Sequence, residues 1–183
     1  MSTQIDRYAV MGNPVAHSQS PLIHQLFAEQ TQQAIHYEKI LVPLDGFTEA
    51  VTKFFAEDGK GLNITLPFKH QALTLADEAN DTAKISGAAN TLSINTAGKI
   101  IANNTDGIGL VNDLKHHCHI EILKQRILLI GAGGAARNVI AALFAENPAQ
   151  LHIANRSEHK SQQLRQHFAS LGEISASGLD NIG

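Results

Sequence analysis

The feature that most restricts this chain is the run RILLIGAGGAAR at residues 126–137. Arg126 to Ile130 reads as an apolar strand that runs straight into Gly131, and a helix is predicted from about Ala135 to Glu146. The turn between them matches G-x-G-x-x-A, with Ala136 in the third place. Gly131 permits the tight turn, and Gly133 lets backbone N–H groups approach a pyrophosphate. Ala136 is small enough for the helix to pack closely on the strand, and the helix N-terminus faces the anion. A strand on one side and a helix on the other are the context this pattern needs, so it predicts dinucleotide binding.

The end of the next strand bears on which dinucleotide. An NAD site usually carries an acidic residue there, to bond the ribose 2′-hydroxyl. Here Leu151 to Ala154 is followed by Asn155-Arg156-Ser157, with Lys160 one turn further on. Arg156 and Lys160 offer charge-assisted bonds to a 2′-phosphate, and Ser157 offers a hydroxyl. The plain alternative is a helix start with solvated charges. Cations in a first turn oppose the helix dipole, which weakens that alternative. The local pattern favours NADP over NAD.

The remaining chain alternates β-rich runs with amphipathic stretches, the mark of an α/β protein. Strands are predicted over 7–11, 36–42 and 62–66. Helices are predicted from Pro21 to about Gln32 with Ser20 as N-cap, over 45–56 with Phe47, Val51, Phe54 and Phe55 on one face, and over 69–79. Residues 91–94 and 99–102 flank Asn95-Thr96-Ala97-Gly98 and read as a β-hairpin. A short helix over 107–116, a helix over 157–171 and a β-like run over 174–176 complete the reading. The polar stretch His116 to Gln125 is the natural boundary. The expected organisation is an N-terminal open α/β domain for substrate at 1–116, a connection at 117–125, and a partial Rossmann-like NADP-binding domain at 126–183. That last part holds about one of the two βαβαβ halves of a doubly wound domain, as expected of a shortened protein or of a piece of a longer enzyme.

Composition removes other classes. With 183 residues, 43% hydrophobic and 17% charged, the chain is globular rather than disordered. A formal charge of -3 leaves no basic excess for nucleic acid. The start, MSTQIDRYAV, lacks a basic region followed by an apolar one, so no signal peptide is expected. The apolar stretch 127–145 is broken by glycines and Arg137-Asn138, short of the roughly 20 apolar residues of a membrane span. The single cysteine, Cys118, excludes an internal disulfide and fits a reducing cytoplasm. It also excludes a multi-cysteine zinc site. Adjacent side chains in His116-His117-Cys118-His119 converge poorly on one ion, so no metal is expected.

Four polar segments stand at strand ends or loops: Asn13 to Ser20, Asn63 to Lys69, Gly87 to Thr91 and Asn104 to Gly107. Hydroxyls, amides, one lysine and one carboxylate suit a small polyhydroxylated acid bound beyond the carboxyl ends of strands. His17, inside the first segment, reads as a loop-structuring residue. For reduction of a ketone, a positioned ammonium such as Lys69 stabilises charge on oxygen and donates a proton, and a carboxylate such as Asp106 holds the amine. The Tyr-x-x-x-Lys pair of short-chain dehydrogenases is absent.

With these segments in order, the chain resembles shikimate dehydrogenase over its whole length. The carriers are GNPVAHSQSP at 12–21, NITLPFK at 63–69, GAANTL at 87–92, NTDG at 104–107, GAGGAAR at 131–137 and NRS at 155–157. The resemblance implies that Ser18 and Ser20 bind the substrate carboxylate, and that Thr65, Asn90 and Asp106 hold ring hydroxyls, with Asn63 beside them in the same motif. It makes Lys69 the acid/base group, paired with Asp106. It places Asp81 near the cofactor, Gly131, Ala132, Gly133, Gly134 and Ala135 around the pyrophosphate, and Asn155, Arg156, Ser157 and Lys160 around the 2′-phosphate. The implied reaction is reversible reduction of 3-dehydroshikimate to shikimate with NADPH, in a cytoplasmic monomer or homodimer without nucleic-acid or membrane partners. The alternatives are a quinate/shikimate enzyme using NAD, and a non-catalytic fragment that retains substrate binding. Family members continue beyond the matched segments with further cofactor contacts, a tyrosine and a glutamine near the substrate.

Overall fold

The computed structural model describes residues 5–182. Met1–Gln4, the start of the stretch expected to lack a signal peptide, and Gly183 lie outside the described residues. The chain divides into two compact units, one ending at Asn104 and the other beginning at Thr105. Both are α/β, as the alternating pattern predicts.

The first unit contains β1 (Asp6–Gly12), α1 (Ser20–Thr31), β2 (Ile35–Leu41), α2 (Phe47–Ala56), β3 (Gly59–Ile64), α3 (Lys69–Leu75), β4 (Glu78–Ala79), α4 (Asp81–Ser86), β5 (Thr91–Ile94) and β6 (Ile100–Asn103). Its six strands form one mixed sheet in the order β2-β1-β3-β5-β6-β4. β1 runs parallel to both β2 and β3, whereas β5 and β6 form the expected antiparallel hairpin. The apolar stripe Phe47, Val51 and Phe54 of α2 enters a core with Met11, Leu62, Ile64, Phe68 and Leu92. Phe47 stacks on Phe68 with ring centroids 4.8 Å apart.

Two local expectations are corrected. Ser20 is not an N-cap: it is the first residue of α1, and Gln19 holds the cap position without a side-chain bond. The helix predicted over 69–79 stops at Leu75. Beyond it the backbone turns to the edge of β6, where Asp77 N–H bonds Ile100 O and the Asp77 carboxylate accepts from Ile100 N–H at 2.8 Å. Glu78 and Ala79 then pair with Ile101 and Ala102. Asn80 caps α4 by accepting from Ala83 N–H at 2.9 Å. An available strand edge outcompetes the modest helix propensity of this segment.

The second unit contains α5 (Asp106–His116), β7 (Arg126–Ile130), α6 (Gly134–Ala145), β8 (Gln150–Asn155), α7 (Glu158–Phe168) and β9 (Ile174–Gly178). Its three strands are parallel, in the order β7-β8-β9. Ile140, Leu143, Leu151, Ile153, Leu164 and Phe168 form its core. The boundary differs from the one expected at His116. Val111 of α5 and Ile122 of the polar stretch are both buried in this second core. Lys124 N–H bonds Asn147 O, and Ala149 N–H bonds Gln125 O. A helix and a connection that look polar on average are thus held by single apolar residues.

Candidate active site

In the first unit the candidate residues gather at the carboxyl ends of β1 and β3. Thr65 follows β3, and its N–H bonds Met11 O at 2.9 Å. Phe68 N–H bonds Thr65 O at 3.1 Å, and the fully buried Phe68 ring anchors the turn. Lys69 follows as the first residue of α3, half-buried, and its carbonyl accepts from Ala89 N–H at 2.8 Å. Asn90 arrives from the other side: its carbonyl accepts from Ile64 N–H at 2.7 Å, and its Oδ1 accepts from the Thr91 hydroxyl at 2.9 Å. Backbone bonds therefore bring Asn63, Thr65, Lys69 and Asn90 together from segments more than twenty residues apart.

The serine loop joins this group through a residue the sequence reading missed. Ser18 donates its hydroxyl to Ser20 Oγ at 3.1 Å and accepts from Ser20 N–H at 3.3 Å. Tyr37 on β2 donates its hydroxyl to Asn63 Oδ1 at 2.6 Å, and Ser20 bonds the same phenol oxygen. The Tyr37 ring stacks on His24 of α1 at 4.3 Å. Burial pushes the phenol up to about 12, and the Ser20 bond pulls the other way. Tyr37 fixes the Asn63 amide so that Nδ2 is the end turned away from the phenol. A hydroxyl-bearing aromatic inside an alternating strand was the available signal. His17 is exposed, and Asp81 is exposed in the first turn of α4, in this unit rather than with the other cofactor candidates.

In the second unit β7 ends at Gly131, whose φ of +112° is glycine territory. Gly131 N–H bonds Ala154 O at 2.7 Å. Among the described residues, the glycines' chain neighbours and the nearby helix backbone aside, no atom lies within 4 Å of where a Cβ would stand on Gly133 or Gly134, so an anion can come directly to the backbone. Gly133, Gly134 and Ala135 are exposed, whereas Ala136 is buried against the core, as its place in the motif requires. Asn155 braces the turn: Oδ1 accepts from Ala132 N–H at 3.2 Å and Nδ2 donates to Ser157 O at 2.9 Å. Arg156 and Lys160 are exposed beside it, and Ser157 is the N-cap of α7. Glu158 lies in the same first turn, with its carboxylate accepting from Gln162 at 3.5 Å. These residues fit a phosphorylated dinucleotide: an open backbone turn at the N-terminus of a twelve-residue helix, with two cations at the end of the second strand.

Asp106 is the first residue of α5 and belongs to the second unit. Asn138 of α6 donates to its Oδ2 at 2.7 Å. Asn138 is a second residue the sequence reading missed, hidden behind the arginine of the glycine motif. Among the described residues no group of three or more His, Cys, Asp or Glu side chains comes together to hold a metal. His117 bonds Asp113 at 3.0 Å. Among the described residues no helix is long and apolar enough to cross a membrane.

Comparison with known proteins gives this geometry a family. The model described as "Shikimate dehydrogenase substrate binding domain" matches residues 10–92, and that described as "Shikimate / quinate 5-dehydrogenase" matches 113–183. A relative from Alkalilimnicola ehrlichii, named shikimate dehydrogenase (NADP(+)), is 52% identical over 97% of this chain. The chain belongs to the shikimate dehydrogenase family. It spans 65% of the length of that relative. Among solved structures, the shikimate dehydrogenase of Aquifex aeolicus matches with a TM-score of 0.87 and 34% identity, over 97% of this chain and 64% of that one. The Thermus thermophilus shikimate 5-dehydrogenase, solved with NADP(H) and shikimate, matches with a TM-score of 0.85 and 31% identity, over 94% of this chain and 63% of that one. The shikimate dehydrogenase models leave 93–112, which includes Asp106, between their matches.

Proposed function

We propose that the protein is a cytosolic oxidoreductase that reduces 3-dehydroshikimate to shikimate with NADPH, a step toward aromatic amino acids. The observation that carries the substrate assignment is the Tyr37 hydroxyl, which ties Ser20 to Asn63 and so links the serine loop to the Asn63–Lys69 segment. A group of hydroxyls and amides with one ammonium suits a carboxylate and ring hydroxyls. Ser18 and Ser20 receive the carboxylate, while Asn63, Thr65 and Asn90 receive the hydroxyls. The relatives' names, with NADP(+) in them, support the cofactor.

The bound cofactor supplies a hydride to the carbonyl carbon. The open turn Gly131–Ala135 receives the pyrophosphate, and Arg156, Ser157 and Lys160 receive the 2′-phosphate. Lys69, as an ammonium, stabilises the negative charge that grows on the carbonyl oxygen and delivers the proton that completes the alcohol. Asp106 serves the same proton transfer and accepts from a substrate hydroxyl. In the reverse direction Lys69 takes the proton back.

The deciding experiment is a steady-state assay of the full-length protein with 3-dehydroshikimate, comparing NADPH with NADH. Turnover with a clear preference for NADPH is expected. Equal use of NADH, or efficient oxidation of quinate with NAD, would replace this reading by the quinate/shikimate alternative.

A further inference from the structure

Asn138 lies in the second turn of α6, facing α5, and is 6% exposed. Its Nδ2 donates to Asp106 Oδ2 at 2.7 Å. Its own Oδ1 is buried and, among the described residues, has no hydrogen-bond partner. Turning the amide over would set that oxygen against a carboxylate oxygen, so the donor must face Asp106. An apolar side chain at this site would leave no orphan acceptor, because a buried polar group without a partner is unfavourable. The amide therefore has a use other than packing, and its side chain donates to Asp106.

The backbone next to Asp106 is fixed on the same helix. A Cβ on Gly107 would stand 2.7 Å from Ala142 Cβ and 2.8 Å from the Asn138 carbonyl oxygen, so α5 and α6 are in close contact there. Asp106 cannot slide along α6 without separating the two helices. Asn138 holds one of the carboxylate's two oxygens, and that bond restrains its rotation. α6 is also the helix that begins at the glycine turn, four residues before Asn138.

We propose that Asn138 is a positioning residue for the reaction: it holds the Asp106 carboxylate in one orientation, anchored to the helix that opens at the cofactor turn. This rests on the reading of Asp106 as a group that serves proton transfer. A misdirected carboxylate lowers turnover while the pyrophosphate turn is untouched, because the two use different atoms of α6.

The test uses the full-length protein with Asn138→Ala, Asn138→Leu, Asp106→Ala and the Asp106→Ala/Asn138→Ala double variant. Ala suits a helix interior and leaves room, while Leu keeps the side chain's heavy-atom number and branching, and each variant is first checked for an intact fold by thermal melting. The Asn138 variants should lose about 10–100-fold in kcat, with KM for NADPH near the parent value. In the Asp106→Ala background, Asn138→Ala should cost nothing further, since the two act as one unit. Parental kcat in folded Asn138 variants, or a loss of the same size on the Asp106→Ala background, overturns the inference alone. Parental kcat in Asp106→Ala overturns the reading of Asp106, and the inference with it.

Discussion

The two units hold their candidate site residues in opposite ways. In the first, the site is made of side chains that bond one another: Ser18 to Ser20, Tyr37 to Asn63, Thr91 to Asn90. In the second, it is made chiefly of backbone, a turn whose glycines present N–H groups to open space, with Asn155 as a brace from behind. A small polar acid must be recognised atom by atom, and that calls for chosen side chains. A pyrophosphate needs only donors and a helix dipole, which any backbone of the right shape supplies. The first unit should therefore be sensitive to single truncations, and the glycine turn of the second insensitive except where a side chain reads the phosphate that distinguishes NADP from NAD.

The sharpest way to break this contrast is Lys69→Ala. In the full-length protein it should lower kcat by about 10²–10⁴, the usual contribution of general acid–base catalysis. The substrate KM should move much less, because the hydroxyls and amides remain. A variant that keeps kcat and loses only affinity would make Lys69 a binding residue. Next in size is the Arg156→Ala/Lys160→Ala double variant. Both side chains are exposed, so the loss in NADPH affinity should be about 10–100-fold, at the modest end for charge-assisted contacts. NADH binding should hold, since the turn proposed to receive the pyrophosphate is unaltered. Equal loss of both cofactors would show that side chains carry the turn as well.

The locked hydroxyl network gives a pH test of stability. Folding raises the Tyr37 phenol from 10.0 to about 12, so the neutral form is favoured in the folded state. Its contribution is fully present below pH ~10 and is lost as pH rises toward 12. Solvent screening of this partly exposed phenol keeps the loss to about 2 kcal/mol at most. Denaturant unfolding at a series of pH values should show a steeper alkaline decline in the parent than in Tyr37→Phe. Parallel curves would mean that the phenol titrates as it does in the unfolded chain. The smallest expected effects belong to Ser18→Ala and Thr65→Ala. Each should raise the substrate KM by about tenfold, the worth of one hydrogen bond to a charged or polar partner, with KM for NADPH unchanged.

The same contrast explains what could be read in the sequence. The strand–turn–helix at 126–145 and the hairpin at 91–102 were legible because they depend on local pattern: apolar run, glycine, small residue. The stripe of α2 was legible by its spacing. The edge pairing of Glu78 and Ala79 was not, because only β6, a strand more than twenty residues later, makes a strand of them. The helix α5 reads as part of the first unit, since nothing local says that Val111 packs with Ile140. Lys69, Thr65 and Asn90 stood out through motifs. Tyr37 and Asn138 did not, because their importance lies in which atoms they touch across the fold rather than in their neighbours in sequence.

The brace at Asn155 has a consequence for altering the redox partner. The usual route from NADP to NAD preference installs a carboxylate at the end of the second strand. Here that position is already occupied by an amide whose oxygen accepts from Ala132 N–H and whose nitrogen donates to Ser157 O. An aspartate would keep the acceptor, lose the donor, and bring a negative charge up to the turn proposed to receive the pyrophosphate. Cofactor exchange in this scaffold is therefore better sought at Arg156, Ser157 and Lys160, where side chains face outward. A redesign, like a lineage drifting toward NAD, that begins at Asn155 would damage the hinge pin before it changed the lock.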